Sequence, residues 1–209
     1  GSSSGHKLNS RLSGQIGATP VGHMNSFPIV ATVISMVLGL SITRLLLGLV
    51  TVFRIRRTSS VDWVPLVWCA ILFVIQLQYW WAINSLPLLR PQYAFSDFLF
   101  LVSMTVMLFV TAALLLPSRS EDEHEGLRAH FEADGRFALM SLSGFLLLAF
   151  VLNIFYFDEP VEAVWALLDV PMIVLPVLAF FASDRRFYAA ITAVYLPLMA
   201  VDVWVSLQG

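Results

Sequence analysis

Six apolar runs, separated by short polar segments, dominate the pattern of the chain. They cover about residues 28–53, 62–85, 97–116, 137–157, 160–182 and 187–207. A helix rises about 1.5 Å per residue, so roughly 20 apolar residues cross a hydrocarbon core of about 30 Å. The pattern therefore predicts an all-α integral membrane protein with six transmembrane helices.

The polar segments carry residues that begin or end helices. Residues 158–160 place two acids and a proline before the fifth run, where both favour a helix start. Ser96 or Asp97 is expected to cap the third helix, and Ser183 or Asp184 the sixth. The boundaries of the runs therefore agree with the local helix signals.

Arginine placement predicts an orientation. The connections after the second and fourth runs contain only Arg90. Those after the first, third and fifth contain Arg54, Arg56, Arg57, Arg119, Arg128, Arg136, Arg185 and Arg186. Because positive residues stay on the cytoplasmic side during insertion, both termini are predicted to face outward. We expect a multi-pass protein of the cell inner (plasma) membrane.

Three runs in each half give the two halves opposite directions across the bilayer. This arrangement is compatible with a 3+3 inverted repeat of the kind found in many transporters. Val61-Asp62 and Val161-Glu162 open the second and fifth runs in the same way. An ordinary bundle without internal symmetry stays open as the alternative.

The chain divides into a leader and one membrane domain. Residues 1–23, rich in glycine and serine at their start, are typical of an expression leader and are predicted to be disordered. Residues 24–209 form the six-helix domain, with an acidic cytoplasmic loop at 118–136. Within that loop, Glu121–Ala133 could form a short helix with Leu127 and Phe131 on one side.

Composition agrees with this class and excludes several functions. The chain has 58% hydrophobic and 12% charged residues, about half the charge of a soluble domain. A net charge of −2 without a basic patch argues against nucleic-acid binding. Outside the leader there is no lysine for a retinal Schiff base, and both histidines lie in the loop, away from any haem. Neither a cofactor nor a metal site is predicted.

Five polar residues fall at membrane depth, where ionisable groups are costly and often functional. They are Arg44, Gln76, Asp169, Tyr195 and Asp202. Their depths predict that Arg44 pairs with Asp169 near the midplane. One interpretation is a substrate or ion pathway. The other is a buried ion pair that fixes helix packing, or an arginine whose side chain reaches the interface.

A second, weaker candidate lies at the outer end of the second run. Gln78, Tyr79, Trp80 and Trp81 combine an amide with aromatic rings. They could bind a flat or cationic ligand at the mouth of a cavity. Anchoring at the membrane interface is the simpler alternative.

Small residues occupy two faces of the first run and predict that it is buried on both sides, either centrally or at a subunit interface. These are Ser41, Gly48 and Thr51 beside Arg44, and Thr32, Ser35, Gly39 and Thr43 opposite. A homo-oligomer within the lipid bilayer is therefore expected.

Three functional hypotheses remain. The first is a small transporter or channel for an ion or small solute, using the polar residues at midplane. The second is a non-transporting sensor, scaffold or assembly subunit that binds a cytoplasmic partner through residues 118–136. The third is an intramembrane enzyme, for which no catalytic residues are assigned because motifs such as GxSxG are absent.

Overall fold

The computed structural model describes residues 27–56, 61–89, 94–117, 126–156 and 163–207, and every regular element in these ranges is a helix. The predicted leader lies outside the described residues. In chain order the elements are α1 (Phe27–Ile55), α2 (Trp63–Leu89), α3 (Phe95–Leu115), α4 (Gly126–His130), a π-helical turn (Phe131–Gly135), α5 (Arg136–Tyr156), α6 (Ala163–Phe181) and α7 (Arg185–Ser206).

Each predicted apolar run coincides with one helix. In the described part of the chain, five stretches are long and apolar enough to cross a membrane, namely Phe27–Arg54, Trp63–Leu86, Phe95–Leu115, Leu127–Ile154 and Arg185–Ser206. Helix α6 contributes a shorter apolar stretch, Leu168–Phe181. The fold is that of a multi-pass helical membrane protein.

Helices α1 and α3 run parallel and pack closely. The Ser41 hydroxyl on α1 donates to the Leu108 carbonyl on α3 at 3.2 Å. About two turns further along both helices, Gly48 lies against Leu116. The contact partners therefore advance together along the two helices, as parallel packing requires.

Helices α2 and α7 are a second parallel pair. The Trp68 indole donates to the Thr192 hydroxyl at 3.0 Å, and the Gln78 amide donates to the Asp202 carboxylate at 2.8 Å. The remaining neighbours are antiparallel. The chain thus alternates in direction, and the described arginines collect at one end of the bundle, termed the arginine-rich end. The opposite end, with Trp80, Trp81 and Trp204, is termed the tryptophan end.

The helices form a closed ring in the order α1, α3, α5, α6, α7, α2, with α2 also packing against α3. In this ring α1 and α6 lie opposite each other. The buried side chains that fill it are mainly aliphatic and aromatic, and Trp68, Tyr195 and Tyr188 are the largest that are almost fully enclosed. Each helix presents an apolar outer face, which suits a lipid environment.

Part of the predicted loop 118–136 is helical. Helix α4 begins at Gly126 and continues through the π-helical turn into α5, so the fourth apolar helix starts about ten residues earlier than predicted. Leu127 and Phe131 are both buried on one side, as the sequence predicted. Residues 118–125 lie outside the described residues.

Helix α1 differs from its prediction on one face. Ser41 and Gly48 are buried against α3, but Thr32, Ser35, Gly39 and Thr43 are exposed. Helix α1 is therefore peripheral within this chain and not central. The subunit-interface alternative stays a prediction.

The two halves of the bundle pack differently. In the first half α1 packs along α3, whereas in the second half the main contacts join α5 to α6 and α6 to α7. This packing lends the predicted inverted repeat no support.

Candidate functional site

A group of polar side chains, termed the polar cluster, lies on α7 and on the two helices that pack against it, α2 and α6. It consists of Gln78, Asp169, Tyr195 and Asp202. The Gln78 amide donates to the Asp202 carboxylate at 2.8 Å and to the Ser206 hydroxyl at 3.2 Å. Asp202 lies four residues before the end of α7, about 6 Å along the helix axis. The cluster is therefore near the tryptophan end.

Tyr195 lies deepest in the cluster. Its side chain is 0% exposed, and its ring packs on Trp68 with 4.8 Å between the ring centroids. The hydroxyl is within electrostatic range of Asp202 but has no hydrogen-bond partner in the part of the chain that the structure describes. A buried hydroxyl without a partner costs roughly 1–3 kcal/mol, so this atom is available to a ligand.

Asp169 approaches the cluster from α6. Its carboxyl is partly buried and within electrostatic range of Asp202. Pro171 follows two residues later inside the same helix. Because proline has no N–H, the carbonyl of Leu167 lacks its usual helical donor one turn before it.

Gln76 was predicted to belong to the same site, but the structure does not show it there. At about 100° per residue, it lies roughly 160° around α2 from Gln78, which faces α7. Gln76 is nonetheless 0% exposed, and neither atom of its amide has a hydrogen-bond partner among the described residues. It is a second buried polar position, distinct from the polar cluster.

Arg44 has different neighbours from those predicted. Its guanidinium donates to the carbonyls of Ala113 at 3.0 Å and Leu116 at 3.2 Å, at the end of α3. The His130 ring contacts the Leu114 carbonyl there, at 3.2 Å. Helix C-termini expose unsatisfied carbonyls and a negative dipole, so cationic donors stabilise them. Arg44, on α1, donates to α3, whereas Asp169 is on α6, which lies opposite α1 in the ring.

The predicted rim group divides into three environments. Gln78 belongs to the polar cluster. The Tyr79 hydroxyl donates to the Leu101 carbonyl at 2.9 Å, and its buried ring meets Phe145 edge-on, so Tyr79 joins helices. Trp80 and Trp81 are 45% and 70% exposed at the tryptophan end, where an interfacial aromatic belt would lie.

The arginine-rich end contains an ion pair that the sequence analysis did not identify. Arg185, at the start of α7, donates to both oxygens of Asp62 at 3.0 and 3.2 Å. Asp62 also accepts from the Val64 amide at 3.2 Å and so caps α2. Burial raises the pKa of Asp62, but the hydrogen bonds from Arg185 and Val64 and the Arg185 charge outweigh it, leaving the pKa below its ordinary value.

A second polar contact at this end joins the π-helical turn to α7. Glu132 accepts from the Tyr188 hydroxyl at 2.9 Å and from Arg128 at 2.8 Å. The Phe131 ring packs on Tyr188, and the Arg136 guanidinium lies 6.0 Å from the same ring. The only indication of this contact in the sequence was Glu132, an acidic residue next to Phe131 in the predicted short helix.

In the described part of the chain, no group of three or more histidine, cysteine or acidic residues could hold a metal ion. Comparison with protein-family models, with curated proteins and with solved structures finds no match to this chain. The helices and buried polar groups therefore define its class on their own, a multi-pass helical membrane protein.

Proposed function

We propose that the protein is a small transporter or channel for an ion or small solute, and that the buried face of α7 lines the path. The observation that carries this proposal is a row of polar side chains along that face. Tyr188, Thr192, Tyr195 and Asp202 follow one another at intervals of four, three and seven residues. Such spacing keeps them on one side of a helix, which here faces α2 and the interior.

Residues of other helices add polar groups to this row at both ends of α7 and in its middle. Gln78 of α2 and Asp169 of α6 join Asp202 near the tryptophan end. Trp68 hydrogen-bonds Thr192 in the middle, and Glu132 accepts from Tyr188 near the arginine-rich end. Polar groups therefore recur over most of the length of the bundle.

The cost of these groups supports a functional role. An acid at the centre of a transmembrane helix costs about 2.5–3.5 kcal/mol on insertion scales. Asp169 and Asp202 lie nearer the tryptophan end, where the cost is smaller but still unfavourable. Among the described residues no salt bridge joins Asp169 or Asp202 to a basic side chain, and Asp202 accepts from the neutral amide of Gln78. A helix-fixing ion pair does not account for them.

The proposal includes six crossings and an orientation. Helix α6 alternates in direction with its neighbours, and crosses with them although its described apolar stretch is short. The arginines at one end place that end in the cytoplasm and both termini outside. We assign the protein to the inner (plasma) membrane, as a homo-oligomer.

Flux through proteoliposomes tests the proposal. Asp169→Asn removes one charge from the polar cluster and is expected to abolish the flux of the transported species. Asp134→Asn makes the same chemical change at an exposed position at the arginine-rich end and is expected to leave flux unchanged. Equal flux in wild type and Asp169→Asn, with the variant folded, would contradict the proposal.

One observation favours a second candidate, a sensor or scaffold that binds a cytoplasmic partner at residues 118–136. The Tyr188–Glu132 hydrogen bond links this segment to α7, the helix that carries Tyr195 and Asp202. A bound partner could therefore influence the polar cluster. Partner capture with wild type and with a variant lacking residues 118–125 tests this candidate, and an unaltered partner set would count against it.

A further inference from the structure

Gln76 places a fully buried amide in the middle of α2. It lies thirteen residues from each end of the helix, about 20 Å from either terminus. The side chain is 0% exposed, and neither its amide nitrogen nor its amide oxygen has a hydrogen-bond partner among the described residues. Proteins rarely leave a buried polar group unpaired, because removing it from water without a new hydrogen bond is costly. Gln76 therefore indicates a partner that the described residues do not supply.

Other polar side chains on the buried side of α2 have protein partners. The Trp68 indole, 1% exposed, donates to a hydroxyl of α7 at 3.0 Å. The Tyr79 hydroxyl, on a side chain that is 6% exposed, donates to the Leu101 carbonyl of α3 at 2.9 Å. Gln76 lies between these two residues along the helix and is enclosed at least as completely. The missing partner is therefore particular to Gln76 and not a general feature of this face.

The surroundings of Gln76 are uncharged. Gln76 precedes Tyr79 by three residues, so the two side chains leave α2 about 60° apart, on the side where Tyr79 contacts α3 and α5. Helix α2 contains no charged residue, α3 contains only Asp97, and α5 contains only Arg136, each in the first turn of its helix. A charged ligand beside Gln76 would lack a compensating charge in a medium of low dielectric constant. The ligand should therefore be neutral.

The amide of Gln76 also restricts the hydrogen bonding of that ligand. A glutamine side chain has two N–H donors and one carbonyl acceptor, and all of them are unpaired here. We infer that Gln76 binds a small neutral molecule that both donates and accepts hydrogen bonds, on the side of α2 that faces α3 and α5. Water and small polar solutes such as urea or glycerol share this chemistry. The site is distinct from the polar cluster and does not depend on the transport proposal.

Solid-state NMR of isotope-labelled wild-type protein in lipid bilayers tests the inference without any substitution. Magnetisation is transferred from water protons, or from labelled urea or glycerol, to the side-chain amide of Gln76. The Trp68 indole N–H, equally buried but hydrogen-bonded within the protein, is the internal reference. We expect transfer to Gln76 at mixing times at which Trp68 receives none. Transfer from water alone identifies water as the ligand, and transfer from urea or glycerol identifies a larger solute. The absence of transfer from all three overturns the inference.

A variant pair provides a second measurement. Gln76→Met removes the amide but keeps the length and helix propensity of the side chain. If the amide binds a ligand, the variant loses those hydrogen bonds, and its melting temperature is expected to fall by about 2–4 °C. If the amide bound nothing, methionine would remove a costly unpaired group and raise the melting temperature. A Gln76→Met protein that melts no lower than wild type therefore overturns the inference.

Asn84→Leu is the matched control. It makes the same change from an amide to an apolar side chain of similar size, at an exposed position of α2 where the amide donates to the Trp80 carbonyl of its own helix. Its melting temperature is expected to change by less than about 2 °C. If Gln76→Met does not fold, the NMR measurement decides, because it uses the wild-type protein.

Discussion

At the scale of single residues, Gly48 determines how closely α1 and α3 approach. A Cβ atom at Gly48 would lie 2.7 Å from the Cβ of Leu116, which is fixed to the backbone of the segment after α3. At Gly144 on α5 the nearest atom would be the terminal methyl of Met107, at 2.9 Å. The first neighbour cannot move without its chain, whereas the second can change rotamer.

We therefore expect Gly48→Ala to destabilise the protein by about 1–3 kcal/mol through overpacking. Gly144→Ala is expected to cost less than about 1 kcal/mol, because Met107 is flexible and alanine favours a helix. Thermal unfolding of both variants in the same detergent measures the difference. Equal melting temperatures would show that α1 and α3 can separate freely.

At the scale of helices, polar and charged side chains stabilise the helix termini at the arginine-rich end of the bundle. Arg44 and His130 contact the last carbonyls of α3, and Asp62 joins the first residues of α2 and α7 through Arg185. Each contact satisfies groups that a helix terminus leaves unpaired. The sequence marked Arg44 as a candidate for transport, and the structure gives it a contact typical of a helix cap.

A double-mutant cycle separates the two roles of Arg44. Arg44→Gln is expected to lower stability by about 1.5–3 kcal/mol, because hydrogen bonds from a charged donor are lost. In combination with Asp169→Asn the effects on stability should add to within about 0.5 kcal/mol, since the two residues lie on opposite helices of the ring. A large coupling energy would instead support the predicted interaction between Arg44 and Asp169 and contradict the cap assignment.

The Asp62–Arg185 pair predicts a dependence of stability on pH. Because folding lowers the pKa of Asp62, the pair stabilises the protein above the ordinary carboxyl pKa and is lost as pH falls through the lowered value. Asp62→Asn keeps a capping side chain and is expected to cost about 1 kcal/mol at neutral pH. This difference should begin to shrink below about pH 4 in melting curves and vanish only below the lowered pKa of Asp62. A constant difference at all pH values would contradict the assignment.

At the scale of the whole molecule, the order of apolar and polar segments predicted most of the fold. Apolar length predicted each helix to within a few residues, because crossing a bilayer demands that length whatever the neighbours are. The exception was α4 with the π-helical turn: the sequence predicted a separate short helix over Glu121–Ala133 with Leu127 and Phe131 on one side, whereas the described helix begins at Gly126 and continues into α5.

The candidate site was predictable only in part. Burial cost alone selected Asp169, Tyr195 and Asp202; Tyr195 and Asp202 share one face of α7, and Asp169 lies on the neighbouring helix α6. Depth along a helix does not reveal which helices are neighbours, so the sequence could not show that Arg44 donates to α3 or that Gln76 and Gln78 face different sides of α2. Gln78 was assigned to the rim because its contact with Asp202 depends on the register of α2 and α7.

Orientation is a separate prediction for the whole molecule. After replacement of Cys69, single cysteines are placed at Ser59, between the first and second apolar runs of the sequence, and at Ser85, near the end of α2. In intact cells a membrane-impermeant maleimide is expected to label position 85 and not position 59, because the arginine-rich end is predicted to face the cytoplasm. Labelling of position 59 alone, or of both equally, would contradict the orientation.

The central claim is that water and ions reach the polar cluster between α2, α6 and α7. Met199, which lies between Tyr195 and Asp202 on the buried face of α7, offers the most direct test. A cysteine there, in protein lacking Cys69, should react with a hydrophilic methanethiosulfonate reagent in the folded protein. A cysteine at Ala112, buried between apolar side chains of α3, should stay unreactive. If position 199 reacts only after denaturation, the cluster is sealed and the account is wrong.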